Sequence, residues 1–181
     1  MTEDESLQQA IREQVRIFPY DPKWPEKYEM ERERLVALFP EAFLALEHVG
    51  STAVPGMAAK PIVDMIGGVR SLEEADALLP VLCQNGYSTS AEFNATLADQ
   101  RWLMKHAMGH RTHHLHLLIH KGGEWRRKIA FRNSLRTNPD VARRYQELKS
   151  NLAEAMGSDR EAYTSAKAEF VEEIVRGSSE S

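Results

Sequence analysis

The stretch EHVGSTAVPGMAAKPIVDM, residues 47–65, decides the fold and contains the first candidate site. Its apolar ends predict two core strands, over 43–49 and 61–69, with a turn at Gly50 and Ser51 between them. A Gly-Ser turn lets backbone N–H groups approach an anion closely, and Asp64 in the second strand supplies a carboxylate for a divalent cation. The stretch therefore predicts a phosphate and metal site.

Three polar groups in this stretch suit a phosphate. Ser51 and Thr52 carry hydroxyl donors, and Lys60 carries a positive charge. Asp64 is expensive to bury in so apolar a strand unless it is paired, capped or bound to a metal. The alternative to a ligand site is a structural salt bridge from Asp64 to Arg101 or Lys105.

The histidines are the second concentration of reactive side chains, because six of the seven lie in one short stretch. In the strand predicted for 113–119, His114 and His116 share one face with His120, while the other face holds His113, Leu115, Leu117 and Ile119. Two imidazoles at this spacing, with Asp64 from a neighbouring strand, match a metal set suited to Zn, Mn, Fe or Ni. The alternative is hydrogen bonding to backbone and carboxylates, or to phosphate as neutral donors.

The rest of the pattern predicts an α+β fold with a mixed sheet flanked by helices. Residues 1–14 are polar and are expected to form a flexible arm, followed by a single domain over 15–177. Further strands are predicted near residue 87 and over 102–104, in an antiparallel meander with 113–119. Helices are predicted over 25–39, 72–85 and 125–135, and another begins after Asn138 as its N-cap. A last helix is predicted from Ser158 to Gly177, with Ser158 and Glu161 as a capping box and Tyr163 buried.

Composition restricts the functional class. The chain has 181 residues, a net charge of −4 at pH 7 and one cysteine, Cys83. It therefore suits one domain without an internal disulfide or a cysteine-based zinc site. The N-terminus lacks signal-peptide features, and no apolar run approaches the roughly 20 residues of a membrane span, so we expect a cytoplasmic protein without a membrane partner.

A basic run follows the histidine strand: Lys121, Arg126, Arg127, Lys128, Arg132 and Arg136. Such a helix face is able to bind phosphates of a nucleotide or of RNA. Charged faces are usually only solvated, however, and the C-terminal helices carry compensating acids. Nucleic acid is therefore a less favoured partner than a small molecule.

Five stretches together resemble the GrpB family. They are residues 47–65, THHLHLLIH (112–120), FRNSLRTNP (131–139), YQELKSNLA (145–153) and YTSAKAEFVEEI (163–174). The resemblance covers nearly the whole chain and implies a nucleotidyltransferase-like fold, in which the Gly-Ser turn holds a triphosphate. The family's domain also occurs fused to dephospho-CoA kinase, but the resemblance implies no settled substrate.

The resemblance carries over only in part. Gly50 and Ser51 match the Gly-Ser of that superfamily, and Asp64 matches the first carboxylate of its Asp-x-Asp/Glu metal pair. Ile66 occupies the position of the second carboxylate. Two-metal nucleotidyl transfer uses clustered acids, so one acid holds two magnesium ions poorly. The strand that would supply a third carboxylate in that superfamily carries His114 and His116 here. Imidazoles in place of acids imply either a changed metal preference or nucleotide binding without transfer chemistry.

The leading hypothesis is binding of a nucleotide or phosphorylated small molecule with a divalent metal, Mg or Mn with Zn as an alternative. If the site is catalytic, nucleotidyl transfer is the default reaction. The other hypotheses are a non-catalytic regulatory or interaction module and a histidine-based metal-dependent hydrolase. The predicted catalytic and metal-binding residues are Asp64, His114 and His116. The predicted phosphate-binding residues are His48, Gly50, Ser51, Thr52, Lys60, Arg101, Lys105 and Arg132.

Overall fold

Four strands form the mixed sheet that the sequence predicts. The computed structural model describes residues 1–14, 16–156 and 160–179. The strands are β1 Ala45–Val49, β2 Val63–Val69, β3 Gln100–Ala107 and β4 His110–Ile119, in the spatial order β1-β2-β4-β3. The central pair β2 and β4 is parallel, and both outer pairings are antiparallel. The strands that carry Asp64 and the histidines are therefore neighbours at the centre of the sheet.

The helices follow the predicted start and stop signals in most places. They are α1 Glu3–Ile11, α2 Lys23–Leu38, α3 Leu72–Cys83, α4 Ala91–Ala95, α5 Gly123–Thr137, α6 Pro139–Met156 and α7 Arg160–Ser179. Ser71 caps α3 by accepting the Glu74 N–H at 3.2 Å, and Asn138, the predicted cap, accepts backbone N–H groups at the start of α6. The predicted cap at Ser158 and the side chains of Glu161 and Tyr163 lie outside the described residues. Among the helices described, none is long and apolar enough for a membrane span.

The sheet separates two packed layers. On one face, Met65 and Leu115 are fully buried against α2 and α3. On the other face, Ile66 and Leu118 are fully buried against Trp125 of α5. Successive strand residues alternate between these layers, so Asp64 and the even-numbered histidines of β4 lie on the α5 side.

The C-terminal helices close over the segment that follows the Gly-Ser turn. Phe131 of α5 and Tyr145 of α6 lie 5.1 Å apart between ring centroids, and Tyr145 stacks on Phe170 of α7 at 5.5 Å. This aromatic cluster packs against Val54 and Met57. Helices distant in sequence from residue 50 are thereby fixed next to the turn.

The N-terminal segment is helical, and the prediction of a flexible arm is wrong for its described part. Thr2 and Glu5 form a capping box, and Ala10 is fully buried. The Ser6 hydroxyl lies 2.8 Å from His106 Nδ1 and accepts the Gly109 N–H at 2.9 Å. Helix α1 is thus attached to the β3–β4 hairpin largely by polar contacts, which apolar periodicity does not reveal.

The predicted antiparallel meander is reduced to one hairpin. The region near Tyr87 contributes an isolated bridge between Ser88 and Met104, because Ser90 then caps the short helix α4. A turn at Gly109 joins β3 to β4, whereas the turn after β4, at 121–123, leads into α5 instead of another strand.

Candidate phosphate site

The Gly-Ser turn passes directly over the Asp64 carboxylate. After β1, Gly50 has φ +75° and ψ −174°, and Ser51–Ala53 form a short 3-10 turn. A Cβ atom on Gly50 would lie 2.7 Å from Asp64 Oδ2, well inside the contact distance of any real Cβ. The turn therefore requires glycine both for its backbone conformation and for this close approach.

A cavity of about 50 Å³ lies beneath this turn. Its lining includes five predicted residues: Gly50, Ser51, Thr52, Lys60 and Asp64. It also includes three residues whose role the sequence analysis missed: Tyr145 and Lys149 from α6, and Lys167 from α7. The cavity thus combines hydroxyl donors and three ammonium groups with one carboxylate.

The three lysines of the cavity lie close together, and two of them are largely removed from water. Lys149 is 1% exposed, donates from Nζ to the Ala58 carbonyl at 2.6 Å and lies 5.1 Å from the Tyr145 ring centroid. Burial, with the charges of Lys167 and Lys60, lowers the pKa of Lys149 to about 7. Burial also lowers the pKa of Lys167. An anion in the cavity would stabilise the protonated form of both.

Asp64 has a histidine partner. His114 Nδ1 lies 3.4 Å from Asp64 Oδ1. Burial acts to raise the pKa of Asp64, but the contact with His114 and the charge of Lys60 lower it overall, so the carboxylate is ionised. Burial lowers the pKa of His114 despite the neighbouring carboxylate. The alternative of a structural salt bridge from Asp64 to Arg101 or Lys105 is wrong, because Arg101 pairs with Asp76 and Lys105 with Glu31.

The predicted metal set is not assembled. His116 Nδ1 lies 3.0 Å from Gln100 Oε1, and burial lowers the pKa of His116 to about 3. Within the described residues, no group of three His, Cys, Asp or Glu side chains is arranged to hold a metal ion. Asp64 and His114 alone, next to three lysines, do not fit a protein-held divalent metal centre.

Two predicted phosphate ligands lie on the opposite face of the sheet. Arg101 Nε donates to Asp76 at 2.6 Å, and Lys105 Nζ donates to the buried Glu31 at 2.8 Å. Both residues of β3 pair with positions of β4 that face α2 and α3. Their assignment to the pocket is therefore wrong, and their role is structural.

Two others support the turn from outside the pocket. His48 Nε2 lies 2.9 Å from the Thr52 hydroxyl, its ring stacks on Tyr28, and burial lowers its pKa to about 4. Arg132 donates to Glu47 at 2.6 Å and to the His48 carbonyl at 3.1 Å. The neutral imidazole and the paired guanidinium hold the ends of the turn in place.

The basic run of α5 is largely used within the molecule. Arg136 Nε donates to the Ala53 carbonyl at 2.9 Å, and Arg127 pairs with Glu124 and with Glu172 of α7. Burial lowers the pKa of Lys128. Arg136 thus connects α5 to the turn and Arg127 connects it to α7, so these guanidinium groups are used in internal contacts rather than in a continuous basic face.

Comparison with known proteins identifies the family. The sequence model of the family described as "GrpB protein" matches residues 14–176. The chain belongs to the GrpB family. The pocket of this GrpB domain is thus built within the matched region, from its Gly-Ser turn to α7.

Several GrpB relatives are similar along most of the chain. The chain is 35% identical to the UPF0157 protein YqkA of Bacillus subtilis over 88% of its length, and 38% identical to the UPF0157 protein PA4798 of Pseudomonas aeruginosa over 92%. It spans 46% of the first relative and 68% of the second. The chain is also similar to the crystal structure of the conserved protein GrpB from Enterococcus faecalis, with 36% identity and a TM-score of 0.78. The superposition covers 90% of this chain and 96% of that one.

The missed lysines of the GrpB domain left a weak signal in the sequence. Lys149 follows the inward-facing Tyr145 by four residues, so both lie on one face of α6. Lys167 lies between Ala166 and Phe170, on a stripe that packs inward. A lysine on an apolar helix stripe indicates a buried charge, and hence a partner of opposite sign.

Proposed function

We propose that the pocket binds the phosphate groups of a nucleotide or of another phosphorylated small molecule. The observation that supports this proposal is the convergence of Lys60, Lys149 and Lys167 on the turn at Ser51. Charge-assisted hydrogen bonds from ammonium groups to phosphate are strong, and they strengthen as water is excluded. The Ser51 hydroxyl, which contacts Tyr145, adds a neutral donor.

The first test is a calorimetric titration of the full chain with inorganic tripolyphosphate at pH 6.5. Lys167→Met and Lys60→Met are each expected to weaken binding roughly 10- to 100-fold, because each removes one hydrogen bond to a charged group. Lys23→Met, at an exposed site on α2, is the matched control and should leave the affinity unchanged. Absence of binding by the folded wild type, or equal affinities for all variants, would contradict the proposal.

In this proposal a divalent cation binds only to the phosphate groups of the ligand and not to a metal site of the protein. Asp64→Asn removes the negative charge next to the bound phosphate, so we expect tripolyphosphate to bind about tenfold more tightly in EDTA. The same titration with Mg²⁺ is the comparison. A Mg²⁺-dependent gain in affinity that is seen in the wild type and lost in Asp64→Asn would instead show that this carboxylate holds the cation.

The proposal is confined to binding. Ile66, at the position of a second acid, is fully buried against α5, and Asp64 is the one carboxylate among the described residues of the pocket lining. Two-metal nucleotidyl transfer needs clustered acids to hold its ions. The donor set therefore favours a phosphate-binding module over a transferase, and His116, directed to Gln100, gives no support to a histidine-based hydrolase.

A further inference from the structure

An indole ring lies one side chain away from the phosphate pocket. Trp102 of β3 is on the same sheet face as Asp64, and its ring centroid lies 5.6 Å from that of His114. His114 in turn contacts Asp64 at 3.4 Å. Helix α5 packs on β1 and β4, and Trp102 is partly exposed on β3. His114 therefore links the pocket to an accessible aromatic surface.

A cation is fixed next to this indole. The Arg111 guanidinium lies 5.8 Å from the Trp102 ring centroid, and its Nη1 lies 3.3 Å from His114 Nε2. Arg111 Nε donates to the Ala10 carbonyl at 3.1 Å, so the end of α1 holds the side chain in place. Phe93 supports the indole edge-on at 5.4 Å. Trp102 and Arg111 thus have restricted positions before any ligand binds.

We propose that Trp102 and Arg111 form a stacking shelf for a planar ring attached to the phosphates in the pocket, which makes the ligand a nucleotide. This inference rests on the proposed phosphate site, because the shelf adjoins the pocket through His114, which contacts both Trp102 and Asp64. A partly exposed indole next to a guanidinium suits a nucleobase, since aromatic rings and guanidinium groups stack on the π-face of any base. A phosphorylated sugar or inorganic polyphosphate has no such face and would leave the shelf unused.

The test compares ATP with inorganic tripolyphosphate on the full chain. ATP is expected to bind the wild type more tightly than tripolyphosphate. Trp102→Leu should weaken ATP binding roughly 5- to 100-fold, the range for loss of one base–aromatic stack, and leave tripolyphosphate affinity unchanged. Trp102→Phe, which keeps an aromatic ring, should recover most of the ATP affinity.

Tryptophan fluorescence gives an independent readout. Trp24 and Trp125 are buried, at 2% and 7% exposure, so ATP stacking should quench emission mainly from Trp102. Quenching by ATP, absent with tripolyphosphate and lost in Trp102→Phe, supports the shelf.

The outcomes separate the two proposals. If both ligands bind with equal affinity and Trp102→Leu changes neither, the shelf is wrong and the phosphate site stands. If Trp102→Leu weakens both ligands equally, the indole acts through the structure of the pocket, and the shelf is again wrong. If neither ligand binds the folded wild type, both proposals fall.

Discussion

Gly50→Ala is expected to lower the free energy of unfolding by about 3 to 4 kcal/mol, from backbone strain and a steric clash together, and to abolish tripolyphosphate binding. The backbone at Gly50, with φ +75° and ψ −174°, lies in a region that is essentially limited to glycine, where another residue costs about 1 to 3 kcal/mol. The new Cβ would also meet Asp64 Oδ2 at 2.7 Å and Asp64 Cβ at 3.1 Å. The turn must therefore move away from the carboxylate, which opens the pocket.

Gly56 offers a matched control within the same connecting segment. It has φ +81°, and a Cβ there would meet nothing within 4 Å. Gly56→Ala should therefore show the backbone cost alone, and urea denaturation of both variants measures the difference. The double variant Gly50→Ala/Asp64→Ala should recover part of the loss, because it removes the closest clashing atoms. Equal destabilisation by the two single variants would refute the close approach.

The second large effect is expected at Lys149, as a dependence of stability on pH. The pKa of Lys149 is about 7 in the folded protein, below the roughly 10.4 of an unfolded chain. Between these values the unfolded state binds more protons, so the free energy of unfolding rises with pH across that window. Lys149→Met keeps most of the buried side-chain volume and removes the titrating amino group. It should stabilise the ligand-free protein at pH 6, and this advantage should shrink by about 4 kcal/mol by pH 10.

The measurement is urea denaturation of wild type and Lys149→Met at several pH values from 6 to 10. The exposed Lys23→Met should run parallel to the wild type throughout and so controls for the general loss of a lysine. Parallel curves for Lys149→Met and wild type would show that Lys149 is protonated in both states and that its environment is less apolar than its burial indicates.

The local half of the site could be predicted from the sequence. Gly50, Ser51, Lys60 and Asp64 lie within one short stretch, so a strand-turn-strand reading suffices to bring them together. The pairing of Asp64 with His114 required only that the two most apolar strands be neighbours. These assignments depend on the positions of strands and turns close in sequence, which the periodicity of apolar residues predicts well.

The remaining part depends on information that one sequence does not contain. The charges of Arg101 and Lys105 suit a phosphate site, but strand alternation directs both side chains to the α2 side of the sheet once the register is known. A shift by one residue would reverse this assignment. Lys149 and Lys167 are distant in sequence from the turn at Ser51. They lie next to it only because α6 and α7 pack against the segment that follows the turn.

The position of the pocket between sheet and helices determines which part of it is able to move. Its floor belongs to β2, whose backbone is hydrogen-bonded to a neighbour on both edges. Its roof consists of Tyr145, Lys149 and Lys167, held by side-chain packing. At about 50 Å³ the cavity is much smaller than the roughly 300 Å³ or more of an ordinary small-molecule pocket. Because backbone hydrogen bonds hold the β2 side and only side chains close the helix side, we expect a bound ligand to displace the side chains of α6 and α7 rather than the strand.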